Sequence, residues 1–488
     1  MIRPSHLSLL ALTALAGCSF APDYKRPEVL TPVAYKEIGP WAVAQPTDDK
    51  PRRDWWKDFA DPKLDELEAQ IDGENPDLVA SVARYDQARA YVSEVDASLL
   101  PTVDLGGSAT QNRQSAKRPL RSPNQPNQYG ANTVGLQASY EIDFWGQIRN
   151  AVAAGEATAQ ARAADMETVR LSLHAELASD YVALRGLDAE LKLLTDTEQT
   201  YLRAQALTKD RYDAKVASGI DVSRSESQLE TARALESDAR AQRAELEHAI
   251  ASLVGKPASD FSIAPAVVKL PVPVEPTGLP SSLLQRRPDI ASDERKVAAA
   301  NATIGVAVAA FYPNISLNLS GGFQNTGGGL GLLAAPYSFW SVGPSLALPL
   351  FEGGLRHAVE AGAYAARDEA AANYRSTVLG AFQEVEDNLA LLHHLGQETV
   401  DETQAVTAAE HTADLSLTLY HDGAASYLDV VVAQTDALQA ERTLLDLNTR
   451  RLQADIRLVR AVGGGWSSAD LPTTEMVDTL PERPKSDS

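Results

Sequence analysis

The chain has one cysteine in 488 residues, Cys18, so no disulfide can form within a single copy. After that cysteine there is no run of 18 or more apolar residues. This excludes a membrane-spanning helix and leaves strands as the only means of crossing a bilayer. Basic residues are in deficit, 44 against 66 acidic, and the net charge of −22 speaks against a nucleic-acid partner. The charge fits a large solvated surface, or an acidic cavity that favours cations. Catalytic motifs are missing as well. The eight histidines include no HExxH, and no Ser/His/Asp spacing stands out. His393-His394 falls in a heptad-patterned helix, on its solvated face. Gly327-Gly328-Gly329-Leu330-Gly331 lies between two strand patterns rather than between strand and helix, so it reads as an exposed loop and not a phosphate cradle. No enzyme activity, catalytic residue, cofactor or metal is expected.

What the chain does have is a repeat at a spacing of about 207 to 212 residues. Phe144 to Gly155 (FWGQIRNAVAAG) and Phe351 to Gly362 (FEGGLRHAVEAG) are identical at seven of twelve positions. Asn75-Pro76-Asp77-Leu78 echoes Arg287-Pro288-Asp289-Ile290, and Leu100-Pro101-Thr102-Val103 echoes Tyr312-Pro313-Asn314-Ile315. Tyr212 to Val222 (YDAKVASGIDV) echoes Tyr420 to Val430 (YHDGAASYLDV). That period is too long for a solenoid unit, so each copy is a large folding element.

The first residues read as a targeting segment: Arg3, then an apolar run from Leu7 to Ala16 too short to span a bilayer. Leu15-Ala16-Gly17-Cys18 resembles the bacterial lipobox, which predicts a leader over 1–17 and acylation of Cys18. Acyl chains contribute about 0.8 kcal/mol per buried methylene, enough for firm anchoring. Ser19 follows in place of the Asp that usually retains lipoproteins in the inner membrane, so outer-membrane delivery is expected.

Within each copy, period-two alternation predicts two strands: 102–110 and 133–144, then 314–323 and 339–350. The clearest sets Val134, Leu136, Ala138, Tyr140 and Ile142 against Thr133, Gly135, Gln137, Ser139 and Glu141. A long proline-free helix follows each pair, with heptad apolar positions such as Leu177, Leu184 and Leu191, with Leu187, Leu194 and Tyr201 three on. Val378, Phe382, Val385, Leu389 and Leu392 form the second seam, and Val431, Leu438, Leu445, Leu452 and Val459 mark a returning helix. Turns at 214–221 and 422–429 break each long helix, where Gly219 and Gly423 are expected to relieve the backbone and Asp221 and Asp429 to accept from free N–H groups. The expected organisation is an N-terminal segment 18–60, repeat A 61–255, a Pro-rich linker 256–282, repeat B 283–465 and a polar tail 466–488. Four strands cannot close a barrel, and open edges are not tolerated in lipid. Closure then requires copies of the chain: eight strands from two, or twelve from three.

These residues resemble the outer membrane factors of the TolC-like group, in the lipoprotein (NodT-type) branch of tripartite efflux systems. The motifs that carry the resemblance span nearly the whole chain. They are Leu15 to Cys18; Pro22-Asp23-Tyr24-Lys25-Arg26-Pro27; Trp55-Trp56 with Phe59, Asp61-Pro62 and Leu64; and Ile142-Asp143-Phe144-Trp145-Gly146. Further along come Arg287-Pro288-Asp289-Ile290 with Glu294, Phe311-Tyr312-Pro313, Pro349-Leu350-Phe351 with Gly353, and Val462-Gly463-Gly464-Gly465-Trp466.

The resemblance implies an α+β membrane protein: a homotrimer whose twelve-stranded transmembrane β-barrel continues into a twelve-helix periplasmic α-barrel. The implied partners are outer-membrane lipid, a periplasmic adaptor and an inner-membrane RND pump. The implied role is a passive exit duct for small molecules and drugs. Asp221, Asp429, Tyr212 and Tyr420 are the implied gate, and Ala217, Ser218 and Gly219 with Ala425, Ser426 and Tyr427 the adaptor-docking turns. The family's gate Arg position holds Ala425 and a second Asp position holds Val432, which leaves the family's ionic latch incomplete. Two other readings stand beside this one: the outer-membrane component of type I protein secretion, and a lipid-anchored periplasmic coiled-coil scaffold with no pore.

Overall fold

The computed structural model describes residues 19–37, 53–119, 122, 124–272, 283–326 and 330–479. The leader 1–17, Cys18, loop 327–329 and linker residues 273–282 lie outside the described residues.

Repeat A begins with α1 (Pro62–Glu74) and α2 (Pro76–Asp96). The side chains of Asp61 and Asn75 cap them by accepting from backbone N–H groups two and three residues on, and each helix starts on a proline, whose missing donor costs nothing there. Then come β1 (Thr102–Arg113), β2 (Gln128–Glu141), α3 (Gln147–Asp213) and α4 (Gly219–Leu253). Repeat B runs α5 (Leu283–Arg286), α6 (Pro288–Ala309), β3 (Asn314–Asn325), β4 (Ser338–Ala347), α7 (Leu355–His421) and α8 (Tyr427–Ala461), and a last turn, α9 (Thr474–Val477), follows. The duplication holds to the residue: both long helices have 67 residues and both returning helices 35. At 1.5 Å per residue the long helices run roughly 100 Å.

The heptad positions are where the helices meet. Leu177, Leu184, Leu194 and Tyr201 of α3 are buried, as are Val378, Phe382, Val385, Leu389 and Leu392 of α7 and Leu438, Leu452 and Val459 of α8. Abundant alanine lets α3 run close to α4, α6 and α8.

The four strands form one antiparallel sheet in the order β1-β2-β3-β4, with β1 and β4 as open edges. The register aligns Leu105, Leu136 and Gly321 with Trp340, and Val103, Ala138 and Leu319 with Val342. The alternation of each strand therefore fuses into one continuous apolar face, with Asp104, Gln137, Ser320 and Ser341 on the other. On that polar face Gly135 sits opposite Gly322, where a Cβ on Gly322 would lie 2.2 Å from the Val134 carbonyl oxygen. Only glycine lets the two backbones approach so closely there.

All four strands depart from the expected bounds: β1 runs on past 110 to Arg113, β3 past 323 to Asn325, and β2 and β4 are shifted at both ends. β2 starts at Gln128 and stops at Glu141, because Asp143 leaves the ladder: its carboxylate accepts from the N–H of Ile148 and Arg149 at 3.1 and 2.9 Å and so caps α3. β4 stops at Ala347, where Glu352 does the corresponding work for Arg356 at the start of α7.

The two ends of the chain cover corresponding grooves in opposite halves. Residues 19–37 run along α6 and α7. Asn301 donates to the Pro22 carbonyl at 2.7 Å, Tyr24 bonds Glu294, Arg26 Nε donates to Tyr374 Oη at 3.0 Å, and the Lys36 and Glu37 N–H groups donate to the Glu386 carboxylate. The C-terminal segment lies over α2 and α3, with Val477 packed on Val92 and Ala159 and Gln160 donating to the Pro472 carbonyl at 3.0 Å. Around the middle of the helices, buried Arg185 and Arg243 grip Asp188 at 2.8 and 2.6 Å and donate to the carbonyls of Ala264 and Ile263, which fixes the described part of the linker to α3 and α4.

Candidate functional site

The far ends of the helices are built from two nearly superposable turns of five residues, 214–218 and 422–426. Each long helix ends in a Schellman arrangement: Val216 N–H donates to the Arg211 carbonyl at 2.8 Å and Lys215 N–H to Tyr212 at 2.9 Å, matched by Ala424 to Leu419 at 2.8 Å and Gly423 to Tyr420 at 3.0 Å. The left-handed residue is Gly423 (φ 79°) in the second turn but Lys215 (φ 63°) in the first. The expectation that Gly219 relieves the first turn is thus corrected. Gly219 is the first residue of α4, and the αL position two residues after Asp213 carries the strain.

Asp221 and Asp429 are not the N-caps. Those are Ser218 and Ser426, and the aspartates are the reciprocal arms of two capping boxes. Asp221 Oδ2 accepts from the Ser218 N–H and Oγ at 3.1 and 2.8 Å, and Asp429 Oδ2 from Ser426 at 3.0 and 2.8 Å. The Ser-x-x-Asp spacing was the available signal for this arrangement.

The two tyrosines behave differently. Tyr212 is exposed beside Gly219, whereas Tyr420 is buried and meets Tyr427 with ring centroids 5.3 Å apart. Both rings pack with Ala204 and Val430 at the junction of the two repeats. Burial pushes the Tyr427 phenol up to about 12. Of the six expected docking residues, Ser218, Gly219 and Ser426 are exposed and Ala217 and Ala425 half-buried, while Tyr427 faces inward with its hydroxyl 3.4 Å from Gln228 Oε1.

Sequence reasoning missed Arg211. Its guanidinium lies 4.6 Å from the centroid of the Tyr420 ring and donates to the carbonyls of Tyr420 and His421 at 2.7 and 3.3 Å. A cation from repeat A thereby caps the C-terminal end of the repeat B helix, where the macrodipole favours it. The signal was divergence between the copies: the position that corresponds to Arg211 in repeat B is Leu419. Beside the tips, α4 and α8 enclose a groove of 540 Å³ lined by Tyr201, Arg224, Gln228, Leu428, Leu438 and Arg442.

A second concentration of polar groups lies far from the tips, under the helices' midpoint. Glu68 of α1 is fully buried, with Oε2 2.6 Å from His174 Nδ1 of α3, and Trp56 stacks on that imidazole at 4.6 Å. Burial pushes the Glu68 carboxyl up to about 7. No group of three or more His, Cys, Asp or Glu side chains suited to a metal occurs among the described residues. No helix among them is long and apolar enough to cross a membrane.

At the other end of the long helices, the rim of the sheet to which they attach carries an aromatic stack. Phe20 lies on Tyr312 with centroids 4.5 Å apart, Trp145 follows at 4.8 Å, and Ser19 donates to Asn150 Oδ1 at 2.8 Å.

An open sheet with one apolar face, carried on long paired helices joined by tight turns, defines an outer-membrane channel built from a β-barrel and an α-barrel. Comparisons with known proteins agree. The family model described as outer membrane efflux protein matches residues 69–256 and 279–464, one segment for each repeat. The chain belongs to the outer membrane efflux protein family.

The toluene efflux pump outer membrane protein TtgF of Pseudomonas putida is 30% identical over 96% of this chain and 98% of its own. The cation efflux system protein CusC of Escherichia coli is 28% identical over 93% and 97%. Among solved structures, the outer-membrane channel OprN superposes with a TM-score of 0.85 at 28% identity, covering 92% of this chain and all of OprN. The open-state MtrE channel of Neisseria gonorrhoeae superposes at 0.80 with 26% identity, covering 93% and 100%. The chain is an efflux channel of the outer membrane, and its role is transport.

Proposed function

We propose that this chain supplies one third of a closed exit duct. It would receive small molecules from an inner-membrane RND pump through a periplasmic adaptor and release them passively across the outer membrane. The observation that carries the reading is the register, which yields one unbroken apolar face flanked by two unpaired edges, β1 and β4. Such a sheet is stable in lipid only when further copies close it. Three copies give twelve strands and twelve long helical segments.

The tips are the gate of this duct. Asp221 and Asp429 hold the two turns, Tyr420 packs at their junction, and exposed Tyr212 faces the aperture. The adaptor docks on the turn residues Ala217, Ser218, Gly219, Ala425 and Ser426 and in the groove between α4 and α8; Tyr427 supports that surface from beneath. Acylation of Cys18 is favoured by its neighbours: Ser19 and Phe20 are tied to an aromatic stack of the kind that sits at membrane surfaces. A Cys18→Ala chain should lose incorporation of labelled palmitate yet retain its oligomer.

Conductance tests the whole reading. Purified protein should run as a heat-modifiable trimer and open discrete channels in planar bilayers. A monomer without conductance would instead support the pore-less scaffold. Protein-secretion genes adjacent to this one, in place of pump and adaptor genes, would favour type I secretion.

A further inference from the structure

The membrane end of the chain has a charge distribution that the duct does not require. From Leu105 to Tyr140 there is no acidic residue, and the same segment holds Arg113, Lys117, Arg118 and Arg121. From Asn314 to Phe351, the other strand pair and its connection, there is no charged residue of either sign. A protein with a net charge of −22 therefore presents a purely basic surface at one extremity.

That extremity is the end of the sheet remote from the helices. The helices attach to the other ends of the strands, after Glu141 and Ala347 and before Thr102 and Asn314. β1 has 12 residues, so it rises roughly 36 Å along its axis, or roughly 25 Å along the normal at the tilt usual for barrels. This matches the apolar band of an outer-membrane barrel, so Arg113, the last residue of β1, emerges at the level of the outer headgroups.

Arg113 also lies on the correct face. It continues the Val103-Leu105-Gly107-Ala109 series, the one that aligns with Leu136, Val134, Phe323 and Trp340 to form the lipid face. Lys117 is exposed, its backbone turned by the Ser115 hydroxyl at 3.2 Å. Among the described residues Arg118 donates to neutral acceptors, Gln125 Oε1 at 2.7 Å and the Ser115 carbonyl at 3.4 Å. Among the described residues none of the three cations is paired with a carboxylate.

We infer that Arg113, Lys117 and Arg118 form a docking surface for the phosphate groups of the outer-leaflet glycolipid, on the outside of the barrel. The occupant is fixed by charge complementarity, by height and by face. An outward-facing guanidinium at headgroup level meets lipid phosphate rather than the channel's cargo. The chemistry is that of paired cations on a phosphate monoester, with Arg113 and Arg118 able to bind in a two-pronged manner and Lys117 as a point charge. Each cation near an anionic membrane surface contributes roughly fivefold in affinity, so removing three should cost on the order of a hundredfold.

This inference rests on the exit-duct reading, since it needs the strands to span the outer membrane. The test uses the full-length oligomer in detergent, titrated with bisphosphorylated lipid A, with lipid A stripped of both phosphates, and with inorganic phosphate. Bound lipid is counted by native mass spectrometry. The wild type should prefer bisphosphorylated over stripped lipid A, and the R113Q/K117Q/R118Q chain should lose that preference. Binding that is equal for both lipids, or unchanged in the triple variant, overturns the inference. Saturation of the same side chains by inorganic phosphate at lipid-like concentrations overturns it as well, because the source would then be a free anion. Bilayer conductance measured on the same samples separates the two readings: conducting channels with no phosphate preference reject the docking surface alone, and a failure to conduct rejects the duct.

Discussion

Arg211 and Tyr420 stand 209 positions apart in sequence, yet the guanidinium of one lies 4.6 Å from the ring centroid of the other and donates to its carbonyl at 2.7 Å. This contact joins the end of α3 to the end of α7, so it couples the two hairpins of one chain where the proposed duct is narrowest. Arg211→Ala removes a cation–π contact and a charge-assisted cap together worth roughly 1–2 kcal/mol at a half-exposed site. Single-channel recordings should show the open fraction rise by about tenfold, with Arg211→Lys intermediate because it keeps the charge and loses the flat stack. Unchanged recordings for the alanine variant would remove Arg211 from the closure.

The two capping aspartates should act more weakly. Each holds only its own turn, so Asp221→Ala or Asp429→Ala should cost about 1 kcal/mol of local stability. Hydrogen exchange at the first turns of α4 and α8 should speed up accordingly. The double variant should raise conductance less than Arg211→Ala does. If it leaves conductance where it was, the aspartates are structural and the gate assignment for them is lost.

The Glu68–His174 pair makes the packing of α1 on α3 sensitive to pH. The folded Glu68 carboxyl titrates at about 7, above its ordinary 4.5. The folded state therefore holds this proton more tightly than the unfolded chain does. The stability it contributes is complete below about pH 4.5 and is lost as pH climbs through 7, a change of roughly 3 kcal/mol. Asp65 and Asp72 of α1 add to the effect by repelling the ionised form. Thermal midpoints measured from pH 5 to 8.5 should fall with rising pH in the wild type and stay flatter in Glu68→Gln. Trp56 fluorescence should report the same transition through its stack on His174.

Gly322 tests the close approach of β2 and β3. A valine there would drive its Cβ into the Val134 backbone, which has no flexible end to move aside. The expected cost is roughly 3 kcal/mol or more, seen as loss of the heat-modifiable oligomer. Gly343 lies on the same polar face with nothing within 4 Å of its missing Cβ, so Gly343→Ala should assemble normally.

What could be read from the sequence was what depends on period and repetition. The strand pairs, the heptad seams and the doubled architecture follow from spacing alone, because alternation and heptads report directly on which face is buried. The strand ends were read less well. Asp143 continues the alternation in sequence but is drawn out of the ladder by the N–H groups of α3, a competition no pattern reveals. Gly219 misled because glycine is permitted at positive φ but not compelled to adopt it, and the turn bends at Lys215 instead. Glu68 and His174 gave no signal, and Arg211 showed only as a difference between the copies, for a common reason. Each acts on a residue more than a hundred positions away, and nothing local distinguishes an arginine on a helix end from its solvated neighbours.

The two ends of the chain plug corresponding grooves in opposite halves, and this sets an arithmetic on the whole tube. Fusing two hairpins into one polypeptide halves the number of termini, so each pair of hairpins shares a single leading strap and a single trailing one. A ring assembled from either half by itself would leave the plug of the other kind without a supplier, and extra copies would not compensate. Probes attached at the amino end would mark every second hairpin, and probes at the carboxyl end the alternate set. The two labels together would count the copies around the circumference.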